Sequence, residues 1–210
     1  MKRIIALLLT LAAIVTVATG CGSKPEQPEN TTQSTAGTTE KNPTQAEQTP
    51  AAPAPESALK LLETVWALYG DDEKFFVGGG DENNAVMDAP GIYDITNTEA
   101  LTFGLLVPEA QIANLQEAAN LVHGMNSNVL SAAAFRLAEG ADAETFAAGM
   151  RDAIQNNQWM CGFPEKLLIV AVGEDYVVTA FGQEPLATFE AKLKQAYPAA
   201  EILYSEAVNG

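Results

Sequence analysis

Between Gly22 and Glu56 the chain carries not one Leu, Ile, Val, Phe, Tyr or Trp. A stretch built from Gly, Ser, Thr, Pro, Gln, Glu, Asn, Lys and Ala cannot bury enough apolar surface to offset the entropy of ordering it, so it is expected to remain an unfolded polar linker. Pro25, Pro28, Pro43, Pro50, Pro53 and Pro55 bias it toward extended polyproline-like runs. As a coil of 35 residues it reaches about 5–6 Å × √35, near 30 Å. Folding is thereby confined to residues 57–210, long enough for one domain with a hydrophobic core.

The segment before the linker is a targeting signal. Lys2 and Arg3 form a positive start, Ile4 to Val17 an apolar run broken only by two threonines, and Ala18-Thr19-Gly20 a small-residue site. The run is short for a transmembrane helix, so residues 1–20 are expected to be a cleaved signal peptide. Val17-Ala18-Thr19-Gly20-Cys21 resembles a bacterial lipobox. The resemblance implies that Cys21 is acylated and becomes the new N-terminus, with residues 21–56 as the tether. Two or three acyl chains anchor stably where one holds weakly. The expected place is therefore the extracytoplasmic face of the cell membrane, with the bilayer met only through the lipid anchor.

Charge narrows the partners. The chain has a formal net charge of −16, and loss of Lys2 and Arg3 takes it to −18. Residues 57–210 hold seven basic and 22 acidic side chains, a net −15. Such a domain repels phosphate backbones, which excludes nucleic-acid binding, and it has no Lys/Arg cluster for anionic lipid.

The pattern along 57–210 alternates helices and strands. Ser57 is an N-cap for a helix with Leu59, Leu62, Val65, Trp66 and Tyr69 at three- and four-residue spacing, stopped by Gly70. Phe75-Phe76-Val77 reads as a short strand ended by a flexible Gly78-Gly79-Gly80 turn, and 100–107 as another extended segment. Pro108 is expected to start a second helix, with Ile112, Leu115, Ala119 and Val122 on one face, His123 in its last turn and Gly124 as its stop. A strand over 129–137, a helix over 142–157 capped by Asp142, a hairpin of 167–172 and 176–181 around Gly173-Glu174-Asp175, a helix from Pro185 to Pro198 and a closing strand at Ile202-Leu203-Tyr204 follow. This order predicts an α+β fold: a βαββαβ (ferredoxin-like split βαβ) sandwich with both of its helices on one face and two additional N-terminal helices covering the other. In the usual strand order 167–172 lies at an edge, which conflicts with its unbroken apolar run. Either that edge is covered or the strand order differs.

Residues from about 112 to 208 resemble an uncharacterised lipoprotein domain family of Firmicutes, domain of unknown function 4358. The likeness rests on Met125-Asn126-Ser127-Asn128, Ala132-Ala133-Ala134-Phe135-Arg136-Leu137, Arg151-Asp152-Ala153-Ile154 and Tyr176-Val177-Val178. It implies a surface lipoprotein and supplies no catalytic residues.

The residues themselves offer little chemistry. With Cys21 lipidated, Cys161 is the one remaining thiol, so no internal disulfide, C-x-x-C pair or cysteine zinc set is available. Cys161 lies in Trp159-Met160-Cys161-Gly162-Phe163-Pro164, a nearly all-apolar loop that reads either as a buried corner or as a candidate pocket or docking patch formed by Trp159, Met160, Cys161 and Phe163. A nucleophilic Cys161 needs a base, and His123 is the single histidine. No G-x-S-x-G string occurs, and Gly78-Gly79-Gly80 lacks the Lys-Ser/Thr of a phosphate loop. Asp71-Asp72-Glu73 and Asp81-Glu82-Asn83-Asn84 offer oxygens to calcium without the spacing of an EF-hand, so a solvated acidic loop is the simpler expectation. No catalytic residue, metal ligand or cofactor is assigned. The expected function is a binding or scaffolding role toward a protein or small molecule, the alternative being a cell-envelope enzyme using Cys161 as nucleophile or redox thiol. Replacing Cys21 by Ala is expected to move the protein from the membrane fraction to the medium or to leave an uncleaved precursor. A processed chain that stays in the membrane fraction without the acyl group would overturn that reading.

Overall fold

Ser57 caps the first helix as its position in the sequence implies. Its hydroxyl oxygen accepts the N–H of Lys60 at 3.0 Å, and α1 runs over Ala58–Ala67 with Leu61, Leu62, Val65 and Trp66 buried along one side. The structure, a computed structural model, describes residues 54–160 and 162–209. The signal peptide, Cys21, linker residues 22–53 and Cys161 therefore lie outside the described residues.

The next stretch departs from expectation. β1 is Val77–Gly79, β2 Val86–Met87 and β3 Gly91–Tyr93. The glycines are thus not a flexible turn. A Cβ on Gly79 would run into the backbone of Pro90 and Gly91, so glycine is what lets β1 and β3 pass this closely. The expected extended segment at 100–107 is largely helical. α2 spans Thr98–Gly104, started by Asn97, whose Oδ1 accepts the N–H of Ala100 at 3.0 Å. The second helix expected from Pro108 lasts one turn, α3 at Glu109–Ile112. Leu115–His123 is instead the strand β4. Leu115, Ala119 and Val122 fit a helical stripe, but Ala119 and Leu121 face one side of a sheet while Ala118 packs on the other. With apolar side chains on both faces, helix and strand periods are indistinguishable in the sequence.

From there the elements match their expected positions. β5 is Leu130–Leu137, α4 Ala143–Gln155, β6 Lys166–Val172, β7 Tyr176–Gly182, α5 Pro185–Ala196 and β8 Glu201–Ala207. Asp142 caps α4 by accepting the N–H of Thr145 at 2.7 Å. Glu190 and Lys194 pair along α5 at 2.7 Å.

All strand pairs are antiparallel, in the order β2-β1-β4-β5-β7-β6-β8, with β3 beside β4. This differs from the split-βαβ order. There the last strand returns to pair with the first. Here β4 forms a hairpin with β5 and occupies that edge, so β8 pairs with β6. A local hairpin closes at small entropic cost and forecloses the long-range pairing. The conflict over 167–172 resolves with it: β6 is flanked by β7 and β8, and Leu167, Leu168, Ile169 and Val170 are buried.

The new order also moves a helix. The crossovers β5-α4-β6 and β7-α5-β8 both step two strands in the same direction, but they start from antiparallel strands. Right-handed crossovers of that kind put their helices on opposite faces. The expectation that both lie on one face is corrected accordingly. α5 packs with α1 over Ala132, Ala134, Leu168, Val170 and Val178, while α4 packs with Leu101 and Leu105 of the α2 region over Ala133, Phe135, Leu167, Ile169 and Val177. Of the two additional N-terminal helices expected on the other face, only α1 lies beside α5; the one expected from Pro108 is mostly the strand β4, and the unexpected α2 lies on the α4 face. Phe146 of α4 is fully buried, with its ring 5.3 Å from Phe135 in an edge-to-face contact. Phe146→Ala should cost about 3–5 kcal/mol in urea melts of the chain lacking its signal peptide. A loss below about 1 kcal/mol would mean that this face does not carry the core.

Candidate functional site

The chain ends of β4, β5, β6 and β7 nearest residue 160 gather three segments: the 124–129 turn, the 156–165 loop and the turn after β7. Their polar side chains are spent on each other's backbone. Buried Asn128 donates from Nδ2 to the carbonyls of Met160 at 2.8 Å and Gly162 at 3.1 Å. Its own N–H donates to Oδ1 of Asn126 at 2.9 Å. Gln183 donates from Nε2 to the carbonyl of Phe163 at 3.1 Å. Three carbonyls of the apolar loop are thereby satisfied by side-chain amides, which braces the loop against the turn.

With the backbone tied, the side chains separate into two groups. Pro164 is buried, and the ring of Trp159 lies 4.9 Å from Phe181 and 6.5 Å from Phe163. Met160 is 80% exposed and Phe163 36%. The loop is therefore not the buried corner that its composition suggested. It is a braced apolar ridge with Trp159 as its inner support. Met125, also 80% exposed, projects from the neighbouring turn. That turn is held by His123, which sits at the end of β4 and not in a helix. Its ring stacks on Phe75 at 5.1 Å, and its Nδ1 accepts the N–H groups of Met125 and Asn126 at 3.3 Å. Phe76, partly exposed, packs beside Gly124. His123 is thus engaged as a backbone acceptor, and among the described residues no metal-binding group is built around it.

Beside the ridge the α4 face of the sheet is open. Met87, Gly78, Val122, Ser131 and Phe181 are successive register partners across β2, β1, β4, β5 and β7. Over Val122, Ser131 and Phe181 a depression of about 10 Å³ is walled by Gly104 and Leu105. That holds about one water and is far too small for a small-molecule site of several hundred Å³. Sequence reading missed this row because its members come from five strands. It also missed Met125 and Asn128 as site residues, although Asn126-x-Asn128 ahead of a strand is turn chemistry that places a side-chain amide.

The acidic loops resolve differently. Asp81 is buried, and its carboxylate accepts the N–H groups of Asn83, Asn84 and Asp94 and Nδ2 of Asn84 at 2.6–3.0 Å. Burial disfavours its charge, but these four donors outweigh that and hold its carboxyl below the usual aspartate range. Glu73 is ion-paired with Lys192 at 2.6 Å. Asp81 and Glu82 border an open cleft of about 420 Å³ with Tyr93, Asn97, Glu99 and Phe103. Among the described residues no group of three His, Cys, Asp or Glu is placed to hold a metal ion.

A comparison of the chain with protein families, curated proteins and solved structures finds no match. The reading of function therefore rests on the site.

Asp81 pins the β1–β3 segment. Asp81→Asn should cost roughly 1.5–3 kcal/mol at neutral pH, the range for hydrogen bonds to a charged group. Because the folded-state carboxyl titrates below its unfolded value near 3.9, this stability is present above that pH and lost as pH falls through the lower folded value. Acid titration of stability in the two chains should accordingly converge as pH falls through the lowered folded-state value of Asp81. Parallel curves would show that the carboxylate charge is not what holds the segment.

Proposed function

We propose that this chain is a membrane-tethered extracytoplasmic lipoprotein whose folded domain binds or scaffolds a partner through the ridge of Met125, Met160 and Phe163. The observation that carries the reading is two methionines, each 80% exposed, on two loops whose backbones are tied together by Asn128. Large apolar side chains held in water on an ordered backbone mark an interaction surface, and methionine adapts its shape to varied partners.

The placement of the tether supports it. Ala54 and Pro55 border a small cavity with Val172, Gly173 and Tyr197. The ridge precedes Lys166 at the other end of β6, seven residues or about 20 Å away. A chain anchored at Cys21 thus enters the domain at the end remote from the ridge. Among the described residues no helix is long and apolar enough to cross a membrane. We read 130–207 as a split-βαβ unit whose last strand has moved to the opposite edge.

A photoreactive amino acid at position 160 of the tethered chain in cells should yield an adduct of discrete mass that is absent from position 144, on the exposed side of α4. Position 125 should give the same adduct as 160. Identical patterns from 144 and 160 would remove the ridge as the site.

A further inference from the structure

The bare row beside the ridge defines what the ridge would take. This inference rests on the binding role proposed above and names the partner class of that same surface. α1 and α5 cover one face of the sheet. On the other, α4 packs against β6, β7 and β8, and Leu101 and Leu105 lie over the inner rows of β4 and β5. Among the described residues the helix that borders the outermost row is α2, through its last residue Gly104. Met87 is 71% exposed, and Val122, Ser131 and Phe181 are half-buried. Five strands at about 4.8 Å spacing make this floor about 19 Å long. Gly78 and Ser131 keep it low, with Phe103, 78% exposed, next to Gly104 on one rim, and Trp159 closes the other end over Phe181.

The surroundings are anionic. The exposed carboxylates Glu82 and Glu99 share with Phe103 and Gly104 the cleft that adjoins the row. Six of the seven basic side chains of 57–210 are already in ion pairs with carboxylates. We infer that the row Met87-Gly78-Val122-Ser131-Phe181 and the adjoining ridge receive a cationic polypeptide segment that carries large apolar side chains. Its apolar groups fill the low floor and its Lys or Arg flanks meet the carboxylate rim. Charge complementarity selects this occupant. A second copy would bring another net −15 against the same rim, and anionic lipid is repelled for the same reason. The depression is too shallow to enclose a small molecule.

The test uses the chain lacking its signal peptide, a fluorescent 14-residue peptide of Leu and Lys, and its Leu/Glu counterpart, read by anisotropy at 0.15 M salt. The Leu/Lys peptide should bind and the Leu/Glu peptide should not. Met87→Asp and Val122→Asp should each weaken binding about tenfold or more, although each adds a negative charge that favours a cationic peptide. Ile202→Asp, on the far strand β8, should leave it unchanged. Met87 lies on a two-residue edge strand and is mostly exposed, so its variant is expected to fold even if the Val122 variant does not. Undiminished binding by Met87→Asp would reduce the attraction to bulk charge and overturn the inference. So would equal binding of the Leu/Glu peptide, a dimer in sedimentation that Met87→Asp dissolves, or co-flotation with neutral phosphatidylcholine vesicles that Met87→Asp abolishes. If these results overturn the row while the position-160 adduct persists, the ridge still binds and only the partner class is wrong. If the adduct is lost as well, the binding role itself fails.

Discussion

The β4–β5 hairpin controls how the rest of this molecule is arranged. Pairing Glu117–Val122 with Ser131–Arg136 fills the edge at which a split-βαβ unit would seat its last strand. β8 is then left the free side of β6, and the second crossover must run in the same direction as the first. Chirality does the rest: two right-handed crossovers from antiparallel strands place α4 and α5 on opposite faces. A sheet with a helix on each side needs apolar side chains in both registers, and β5, β6 and β7 supply them. The alanines Ala132, Ala133 and Ala134 are all buried, and small side chains there let both layers approach the sheet.

Dividing the helices between the faces leaves each layer short. One is completed by α1 beside α5. The other has only α4 and the seven-residue α2, which covers the inner part of β4 and β5 and stops before the outermost row. The open strip and the apolar ridge are two consequences of one arrangement. The ridge closes the connection from α4 to β6, and the strip is the sheet surface that α2 borders only through its last residue, Gly104. Side-chain amides of Asn128 and Gln183 hold that connection by its carbonyls, leaving Met160 and Phe163 to solvent.

Electrostatics divides along similar lines. Carboxylates with a structural task are taken up: Asp81 by four N–H donors, Glu190 by Lys166 and Lys194, and Glu206 by Arg151. Such exposed or half-exposed ion pairs contribute little each to stability. Their larger effect is to engage six of the seven cations of a domain whose net charge is −15. A field of that sign disfavours polyanions and favours cations.

The sequence by itself determined the elements of residues 130–207. Asp142 as a cap, the apolar stripe of α4, the Gly173-Glu174-Asp175 turn and Pro185 at the start of α5 each act within a few residues, where local chemistry decides conformation. It also determined the anionic character of the domain, and it marked Trp159–Pro164 as unusual for a loop. Tertiary structure alone decided three things. Leu115–His123 became a strand because its apolar residues serve two faces of a sheet, which blurs the helix and strand periods. Strand order followed from which edge the local hairpin had already taken. The candidate surface drew Met87, Gly78, Val122, Ser131 and Phe181 from five separate strands, and only register brings residues so far apart in the chain into one row.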